Sequence, residues 1–309
     1  MRDDTPDLLL IGHVTRDLLP DGGWRLGGTA TYAAATARRL GLRPAIVTSG
    51  PADIVAALQA TLPDVPTAVV PSDTATTFEN RYMGGVRRQF LRARAAPLGL
   101  ADVPLAWRRA PVALLAPLAD EVAPALAAAF PGALVAATPQ GWLRRWDARG
   151  QVYSTTLPDP SALLPYLGAL ILSREDLAPS PTASMTPADV QNVASTTGAA
   201  DAATDALLAG WARLVPLLVV TLGAAGALLY RAGAAAQQAF PGYPAREVDP
   251  TGAGDVFAAA LLVALHAGRP PDLAVDFANR VAALSVEREG VAGIPTLDDL
   301  RARYGDIAQ

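Results

Sequence analysis

The chain contains 309 residues, of which 51% are hydrophobic, and it carries a formal net charge of −4. That length and apolar content suffice for one large buried α/β core. The mild acidic balance offers no long-range attraction for nucleic acid or anionic lipid, so neither is an expected partner. There is no Cys, which excludes disulfides and thiolate metal sites, and all 25 basic residues are Arg. Without Lys, Walker-type P-loops and Schiff-base chemistry are excluded as well.

The first seven residues are polar and acidic and do not form a charged-then-apolar signal segment. The longest apolar runs, such as residues 258–265, are too short to span a bilayer. The sequence therefore predicts a cytoplasmic protein without a membrane partner.

In chain order, short apolar runs alternate with helical patterns, which is typical of a mostly parallel α/β sheet. The first half predicts a strand at 7–11, a helix at 29–40, a strand at 45–48, a helix at 52–60, a strand at 112–115 and a helix at 121–130. The second half predicts strands at 133–136, 169–172 and 217–221, helices at 187–195 and 201–214, a hairpin over 227–240, and two closing helices at 253–267 and 271–287.

Residues 74–93 break this alternation. Two strand-like runs, polar and rich in Arg, flank Gly84-Gly85, which is the pattern of a β-hairpin. Such a hairpin suits a small sheet that stands clear of the core, and residues 14–26 would complete it. We therefore predict one domain over residues 1–309, with a lid formed by about 14–26 and 74–93. An open lid sheet has exposed edges, which would suit homodimerisation through the lid.

The segment that points to chemistry is Asp249-Pro-Thr-Gly-Ala-Gly-Asp255, which runs straight into an apolar helix. A Gly-rich turn at a helix start presents backbone N–H groups at the positive end of the helix dipole, and this arrangement favours phosphate oxygens. A carboxylate beside such a site is repelled by phosphate, so we expect Asp255 to have a task. Accepting a proton from a nucleophilic hydroxyl fits that task. The alternative is an ordinary helix start, with Asp favouring the dipole and Gly making a tight turn.

This string resembles the C-terminal signature of the ribokinase-like, or PfkB, carbohydrate kinase family. Five further stretches resemble family motifs in the family's order: the first strand leading to Asp17, the Gly27-Gly28 pair, the lid hairpin at 78–91, Ser173-Arg-Glu-Asp176 near Mg²⁺, and the nucleotide-side turn Thr221-Leu-Gly-Ala-Ala-Gly226. The fold that the resemblance implies is a ribokinase-like, doubly wound α/β core. It has a mostly parallel central sheet with helices on both faces, plus a small β-sheet lid.

The resemblance also implies roles for individual residues. Asp255 would be the catalytic base, and the backbone amides of Gly252, Ala253 and Gly254 would bind the transferred phosphoryl group. The implied substrate residues are Asp17, Gly27, Gly28 and Thr29. The implied nucleotide residues are Thr221, Gly223, Gly226, Thr251 and Asn279, and the implied residues near Mg²⁺ are Glu175 and Asp176, of which Asp176 aligns better with the motif.

From these features we expect a phosphotransferase that uses ATP, Mg²⁺ and an alcohol acceptor. The expected substrate is a small-molecule polyol, either a sugar or a cyclitol such as inositol, because Thr29 follows the Gly pair where ribose-phosphorylating members commonly have Asn. A nucleoside kinase with the same machinery is the alternative enzyme, and Tyr32, Phe78 and Tyr82 are then candidate base-pocket residues. A catalytically silent ligand-binding homologue is the alternative from another class, which the intact signature disfavours.

Overall fold

A computed structural model describes residues 4–83, 86–177 and 197–305. The helix expected at 187–195 and the Gly84-Gly85 turn of the expected hairpin lie outside the described residues. In the described part of the chain, no helix is both long and apolar enough to cross a membrane.

Most of the predicted strands and helices are present in the described residues. The strands are β1 (Leu8–Ile11), β2 (Thr15–Leu18), β3 (Trp24–Gly27), β4 (Pro44–Gly50), β5 (Thr67–Pro71), β6 (Thr76–Met83), β7 (Val86–Ala93), β8 (Val112–Leu115), β9 (Leu134–Ala137), β10 (Arg144–Trp146), β11 (Val152–Ser154), β12 (Ala169–Ser173), β13 (Leu217–Thr221), β14 (Gly226–Arg231) and β15 (Gln238–Pro241). The α-helices are α1 (Thr29–Arg39), α2 (Ala52–Thr61), α3 (Pro160–Leu163), α4 (Thr197–Trp211), α5 (Ala253–His266), α6 (Pro271–Ser285) and α7 (Leu297–Tyr304).

A central sheet of nine strands has the spatial order β15-β14-β13-β12-β9-β8-β1-β4-β5. The seven strands from β13 to β5 are parallel, and β14 and β15 extend the sheet in antiparallel fashion. The inner parallel strands are short apolar runs that are buried along their length, as β1 and β8 are. Runs of this kind are typical of a sheet that is covered on both faces.

Both faces of the central sheet are covered by helices. Along β1 the side chains alternate, so that Leu8 and Leu10 join one buried cluster while Leu9 and Ile11 join the other. Helices α1, α2, α5, α6 and α7 contribute to the first cluster, and α3 and α4 contribute to the second. The expected doubly wound, mostly parallel core is confirmed.

Four strands form a separate sheet in the order β3-β2-β6-β7, which we call the small sheet. Strand β2 pairs antiparallel with β3 and parallel with β6, and β6 pairs antiparallel with β7 as the expected hairpin. In the register of β2 and β3, Asp17 lies directly opposite Arg25. The β10–β11 hairpin adjoins β7 through a bridge between Phe90 and Gln151.

The helix predicted at 121–130 is wrong. The buried carboxylate of Glu121 accepts backbone N–H groups of His13, Leu118 and Ala119 at 2.7–3.0 Å, which holds this stretch as a loop. Only a 3₁₀ segment, Pro124–Ala129, follows. A proline is tolerated in the first turn of a helix but not further inside it, so no helix extends from 121 through Pro124.

Some elements of the fold are not predicted by the sequence patterns. Strand β5 at the edge of the central sheet was not predicted, nor was the β10–β11 hairpin. The chain does not close on two helices, because α7 follows α6. Helix α7 begins with a capping box in which Thr296 and Asp299 bond each other's backbone N–H groups, a signal that the sequence carries.

Candidate active site

The start of α1 lies beside the carboxyl-terminal end of β1, the kind of position where α/β sheets bind ligands. After β1 the chain passes through His13, whose carbonyl oxygen lies against Gly28, the residue preceding α1. A Cβ at Gly28 would lie 2.5 Å from that oxygen, and its φ of 94° is in the left-handed region. Only glycine fits here without displacing the chain.

Asp255 lies in the first turn of α5, where it meets the start of α1. The hydroxyl of Thr29 donates a hydrogen bond to Oδ1 of Asp255 at 2.7 Å. Burial raises the pKa of Asp255 to about 6, although the hydrogen bond from Thr29 lowers it. The carboxyl group therefore titrates close to neutral pH, where a general base works best.

Three charged side chains from other elements act on Asp255. The carboxylates of Asp176, which follows β12, and of Asp17, on β2, raise its pKa, whereas Arg144 on β10 lowers it. The guanidinium of Arg144 lies 5.7 Å from the ring centroid of Phe78 on β6. The fold thus places Asp17 and Asp176 close enough to Asp255 to shift its pKa, although the three residues belong to separate sequence motifs.

The turn before α5 is held against the core by Tyr32. Gly252 has a φ of 80°, and a Cβ on it would lie 2.4 Å from the ring of Tyr32, which is buried on α1. Burial raises the pKa of that phenol to about 12. Gly254, in contrast, is exposed, and an added Cβ would meet nothing within 4 Å. This side of the turn is therefore open to a ligand.

The backbone amides of this turn are not equivalent. The N–H of Ala253 donates to the carbonyl of Pro250 at 3.2 Å and is therefore engaged within the turn. The N–H of Gly254 belongs to the first turn of α5, where backbone donors have no acceptor inside the helix. Of the three amides expected to bind phosphoryl oxygens, that of Gly254 combines an open side with an unpaired position in the helix.

The expected substrate residues adjoin one another. A Cβ on Gly27 would lie 2.4 Å from Oδ2 of Asp17, so glycine lets this carboxylate rest against the backbone. Oδ1 of Asp17 accepts a hydrogen bond from the hydroxyl of Thr15 at 3.1 Å. Thr29 differs from the others, because its hydroxyl is bonded to the expected base.

Asp249 organises the loop that leads into this turn. Its carboxylate accepts the backbone N–H of Thr251 at 3.0 Å and of Gly290 at 3.2 Å. Arg25 on β3 donates to Oδ2 of Asp249 at 3.2 Å and to the hydroxyl of Thr251 at 2.7 Å. Burial raises the pKa of Asp249, but hydrogen bonds from the side chain and backbone of Thr251 and from the backbone of Gly290, together with the charge of Arg25, lower the pKa below its ordinary value.

A cavity of about 180 Å³ lies next to the start of α5. Four of the five expected nucleotide residues line it, together with the turn before α5 and an apolar side of α6. The lining includes Thr221, Gly223, Gly226, Asn279, Ala253, Gly254, Ala282, Ala283 and Val286, and also the polar Tyr243 and Glu247. Thr251 does not line the cavity and is bonded to Arg25 instead. The cavity thus brings the glycines of the expected nucleotide turn next to an apolar wall on α6.

Glu175 and Asp176 differ in their surroundings. Asp176 is partly buried, accepting the backbone N–H of Ser173 at 3.0 Å and the amide of Gln140 at 3.1 Å, whereas Glu175 is exposed. Across the described residues there is no group of three or more acidic or His side chains that would hold a metal ion by itself. Mg²⁺ is compatible with this arrangement, because it keeps several waters and needs only one or two carboxylates when phosphates are present.

Sequence reasoning missed Arg25 and Arg144. Neither belongs to a motif that the chain displays, and the sequence has 25 Arg residues without a pattern that separates these two. Arg144 follows Gln140 on a segment that also supplies a bond to Asp176, but only the fold shows that this segment faces Asp255.

The chain is similar to known proteins in sequence and in fold. Residues 213–297, which contain the signature, match the model of the pfkB family carbohydrate kinases. Ribokinase of Bacillus subtilis (strain 168) is 43% identical over 84 residues, a match that spans 27% of this chain and only 28% of that protein. Cytidine kinase of Thermococcus kodakarensis is 27% identical over 281 residues, or 85% of this chain and 90% of that protein.

Solved structures resemble the whole chain. A pyrophosphate-dependent kinase in the ribokinase family, complexed with a pyrophosphate analog and myo-inositol, has a TM-score of 0.72 at 19% identity over 92% of this chain and 96% of its own. Arabidopsis thaliana ribokinase, complexed with ribose and ATP, has a TM-score of 0.69 at 20% identity over 96% of this chain and 98% of its own. These two likenesses show the ribokinase fold. The matched signature adds a local sequence likeness to the pfkB carbohydrate kinases over residues 213–297.

Proposed function

We propose that this protein transfers the γ-phosphoryl group of ATP to a hydroxyl of a sugar or cyclitol, with Asp255 as the catalytic base. The observation that carries the proposal is the position of Asp255. Its carboxyl group has a pKa of about 6, is bonded to Thr29, and lies next to the glycine turn that opens α5. A base of this kind beside an amide-lined turn suits proton removal from an alcohol at the moment a phosphate arrives.

In the proposed reaction, Asp255 takes the proton of the substrate hydroxyl while the oxygen of that hydroxyl attacks the γ-phosphorus of ATP. The bond from that phosphorus to the bridging oxygen breaks, and ADP leaves with the electron pair. Asp17 holds a second hydroxyl of the substrate against Gly27. The turn Gly252–Gly254 and the positive end of α5 stabilise the charge on the phosphoryl oxygens, with the exposed amide of Gly254 as the main donor. We assign Asp176 to the Mg²⁺ side, where the ion would neutralise charge on the phosphates.

ATP is the proposed donor because the cavity next to α5 extends beyond a phosphate site. Its apolar wall on α6 would take the adenine, and Asn279 would lie beside the base. Gly223 and Gly226 would lie near the ribose and phosphates. Pyrophosphate, the donor named for three of the similar solved structures, would leave that wall uncovered, so it is the alternative that an assay must include.

A polyol is the proposed acceptor because two of the three candidate aromatic residues are already packed. Tyr32 lies under Gly252, and Phe78 is buried with Leu91 and Leu118. The side chain of Tyr82 lies outside the described residues. A nucleoside kinase remains the second candidate, since the relative that aligns over most of its length is a cytidine kinase.

We propose that the whole chain acts as one kinase unit in the cytoplasm, with the small sheet as its lid. Closing that sheet over the substrate would exclude water and prevent hydrolysis of ATP. The edge strand β3 carries the half-exposed Trp24, and it is the edge through which we propose that two copies pair.

Two assays test the proposal: a coupled assay for ADP when ATP is the donor, and an assay for inorganic phosphate when pyrophosphate is the donor. Each donor is offered with inositols, ribose, other sugars and nucleosides, and Asp255→Asn is assayed in parallel. The expected result is turnover of ATP with a polyol that disappears in the variant. Turnover with nucleosides alone would replace the polyol by a nucleoside, and turnover with pyrophosphate alone would replace ATP. If no acceptor supports turnover while ATP still binds, the catalytically silent homologue is the correct reading.

A further inference from the structure

Arg25 connects two parts of the chain that are more than 220 residues apart. It lies in the small sheet, yet its guanidinium donates to Oδ2 of Asp249 at 3.2 Å and to the hydroxyl of Thr251 at 2.7 Å. Both acceptors belong to the loop that leads directly into the turn at Gly252. The two bonds use different nitrogens of one planar group, so they fix its direction as well as its distance.

The loop of residues 249–251 contains the largely buried carboxylate of Asp249, whose negative charge needs a partner. The side chain of Asp249 is only 11% exposed, whereas that of Arg25 is 41% exposed. A buried carboxylate is costly unless it is paired and hydrogen-bonded, and Asp249 receives a guanidinium together with two backbone N–H groups. Removing Arg25 would leave this carboxylate without its cationic partner while its backbone bonds remain.

The segment that carries Arg25 also reaches the other reacting groups. On β2, Asp17 lies directly opposite Arg25, so the two side chains share one face of the small sheet. Two residues further along, Gly27 lies against the carboxylate of Asp17, and Thr29 then bonds Asp255. Residues 25–29 therefore contact Asp17, the loop of residues 249–251 and Asp255.

We propose that Arg25 is a positioning residue that fixes the loop of residues 249–251, and hence the turn at Gly252–Gly254, relative to Asp17 and the small sheet. It acts through Asp249 and Thr251 and aligns the turn with the substrate that Asp17 holds. The inference rests on the proposed function, because the alignment matters only if a phosphoryl group is transferred from a donor at Gly252–Gly254 to the substrate that Asp17 holds. Misplacement of reacting groups by about 1 Å costs on the order of 100-fold in rate.

The test compares Arg25→Gln with Arg25→Lys and with Arg81→Gln. Arg81 is a matched control, because it lies in the same small sheet and pairs with the sheet's own Glu79. Arg25→Gln is expected to lower kcat about 10- to 100-fold with the KM of the acceptor changed less than about twofold. Lys can reach one of the two acceptors and should restore part of the loss, and Arg81→Gln should behave as wild type.

Two further measurements separate positioning from direct contact with the donor. Hydrogen–deuterium exchange of peptides covering 249–255 should rise in Arg25→Gln and stay at the wild-type level in Arg81→Gln. Combining Arg25→Gln with Thr251→Val should cost less than the sum of the single changes, because both remove one shared bond. Wild-type kcat in Arg25→Gln, unchanged exchange, or a loss confined to the KM of ATP would each overturn the proposal.

The hydrogen–deuterium exchange measurement tests this inference independently of the proposed function. If the wild-type protein has no kinase turnover, the proposed function fails on that result, and exchange at 249–255 still reports whether Arg25 holds the loop. If the wild type is active and Arg25→Gln retains both its kcat and its exchange pattern, the inference fails while the proposed function stands.

Discussion

The hydroxyl of Thr29, the first residue of α1, donates a 2.7 Å hydrogen bond to Oδ1 of Asp255 in the first turn of α5. Thr29 is itself almost fully buried. The bond therefore joins two helix starts and orients the proposed base from a position that solvent does not reach. Because a hydrogen bond to a carboxylate favours its charged form, it also works against the burial that raises the pKa of Asp255.

Replacing Thr29 by Val removes this bond at nearly constant volume. Hydrogen bonds to charged groups contribute about 1.5–3 kcal/mol, so we expect kcat to fall about 10- to 100-fold. The pKa of Asp255 should rise as well, which moves the acid limb of the pH–rate profile to higher pH. Thr29→Ser keeps the hydroxyl and is the control. If the Val variant has the wild-type acid limb, the bond does not tune the base.

The wild-type pH profile gives an independent check. Burial raises the pKa of Asp255 to about 6, and a general base must be deprotonated to act. We expect kcat/KM for the acceptor to fall tenfold per pH unit below about 6 and to reach a plateau above it. A profile that stays flat down to pH 4.5 would mean that another group takes the proton.

Asp255→Asn should abolish turnover and stabilise the protein at neutral pH. General-base removal typically costs 10²- to 10⁴-fold, which sets the expected loss in kcat at about that range. The carboxyl group has an ordinary pKa of 3.8 and a folded value of about 6, so the folded protein binds the extra proton between these values. Stability due to this group therefore decreases as pH rises from about 4 to 6 and stays low above that range.

The variant lacks this penalty. Its free energy of unfolding should exceed that of wild type by about 2–3 kcal/mol at pH 7.5, since one pKa unit corresponds to about 1.4 kcal/mol. The difference should vanish near pH 4, where both proteins carry a neutral group at position 255. Denaturant titrations at the two pH values measure it. Equal stability at pH 7.5 would show that the carboxylate of Asp255 is well solvated.

The sequence predicted six of the seven parallel strands because each of these six is a short apolar run, whereas the partly exposed edge strand β5 was missed. The prediction failed at 121–130, where the composition favours a helix but the carboxylate of Glu121 accepts backbone N–H groups from the neighbouring Leu118 and Ala119 and from the distant His13. The bond from His13 joins residues 108 positions apart, and no local propensity records it. Sequence patterns predict elements well when burial is continuous, and less well when one buried polar group decides the path.

Some residues of the candidate site could likewise be predicted from the sequence, and others could not. The signature at 249–255 and the glycines at 27 and 28 could be singled out because their residue types are tied to backbone conformation and close approach. The contacts of Arg25 and Arg144 could not, because a guanidinium reaches several ångströms and its partner is set by tertiary structure. The role of Tyr32 was also hidden, since an aromatic residue in an Ala-rich helix predicts packing but not packing against Gly252.

The two glycines of the signature turn should respond in opposite ways to the same substitution. Gly252→Ala places a Cβ 2.4 Å from the ring of Tyr32 at a φ of 80°. Left-handed backbone costs about 1–2 kcal/mol for a non-glycine residue, and overpacking a core adds about 1–3 kcal/mol. We therefore expect a loss of about 2–5 kcal/mol in the free energy of unfolding, measured by denaturant titration.

Gly254→Ala adds the same methyl group where nothing lies within 4 Å, in the first turn of a helix. The fold should be as stable as wild type or up to about 1 kcal/mol more stable, because alanine favours a helix over glycine. Activity should nevertheless fall at least about tenfold, since the methyl occupies the open space where we place the phosphoryl oxygens. A stable and fully active Gly254→Ala variant would show that the phosphoryl group does not bind at this turn. Gly252→Ala would then report only on how rigid the turn is.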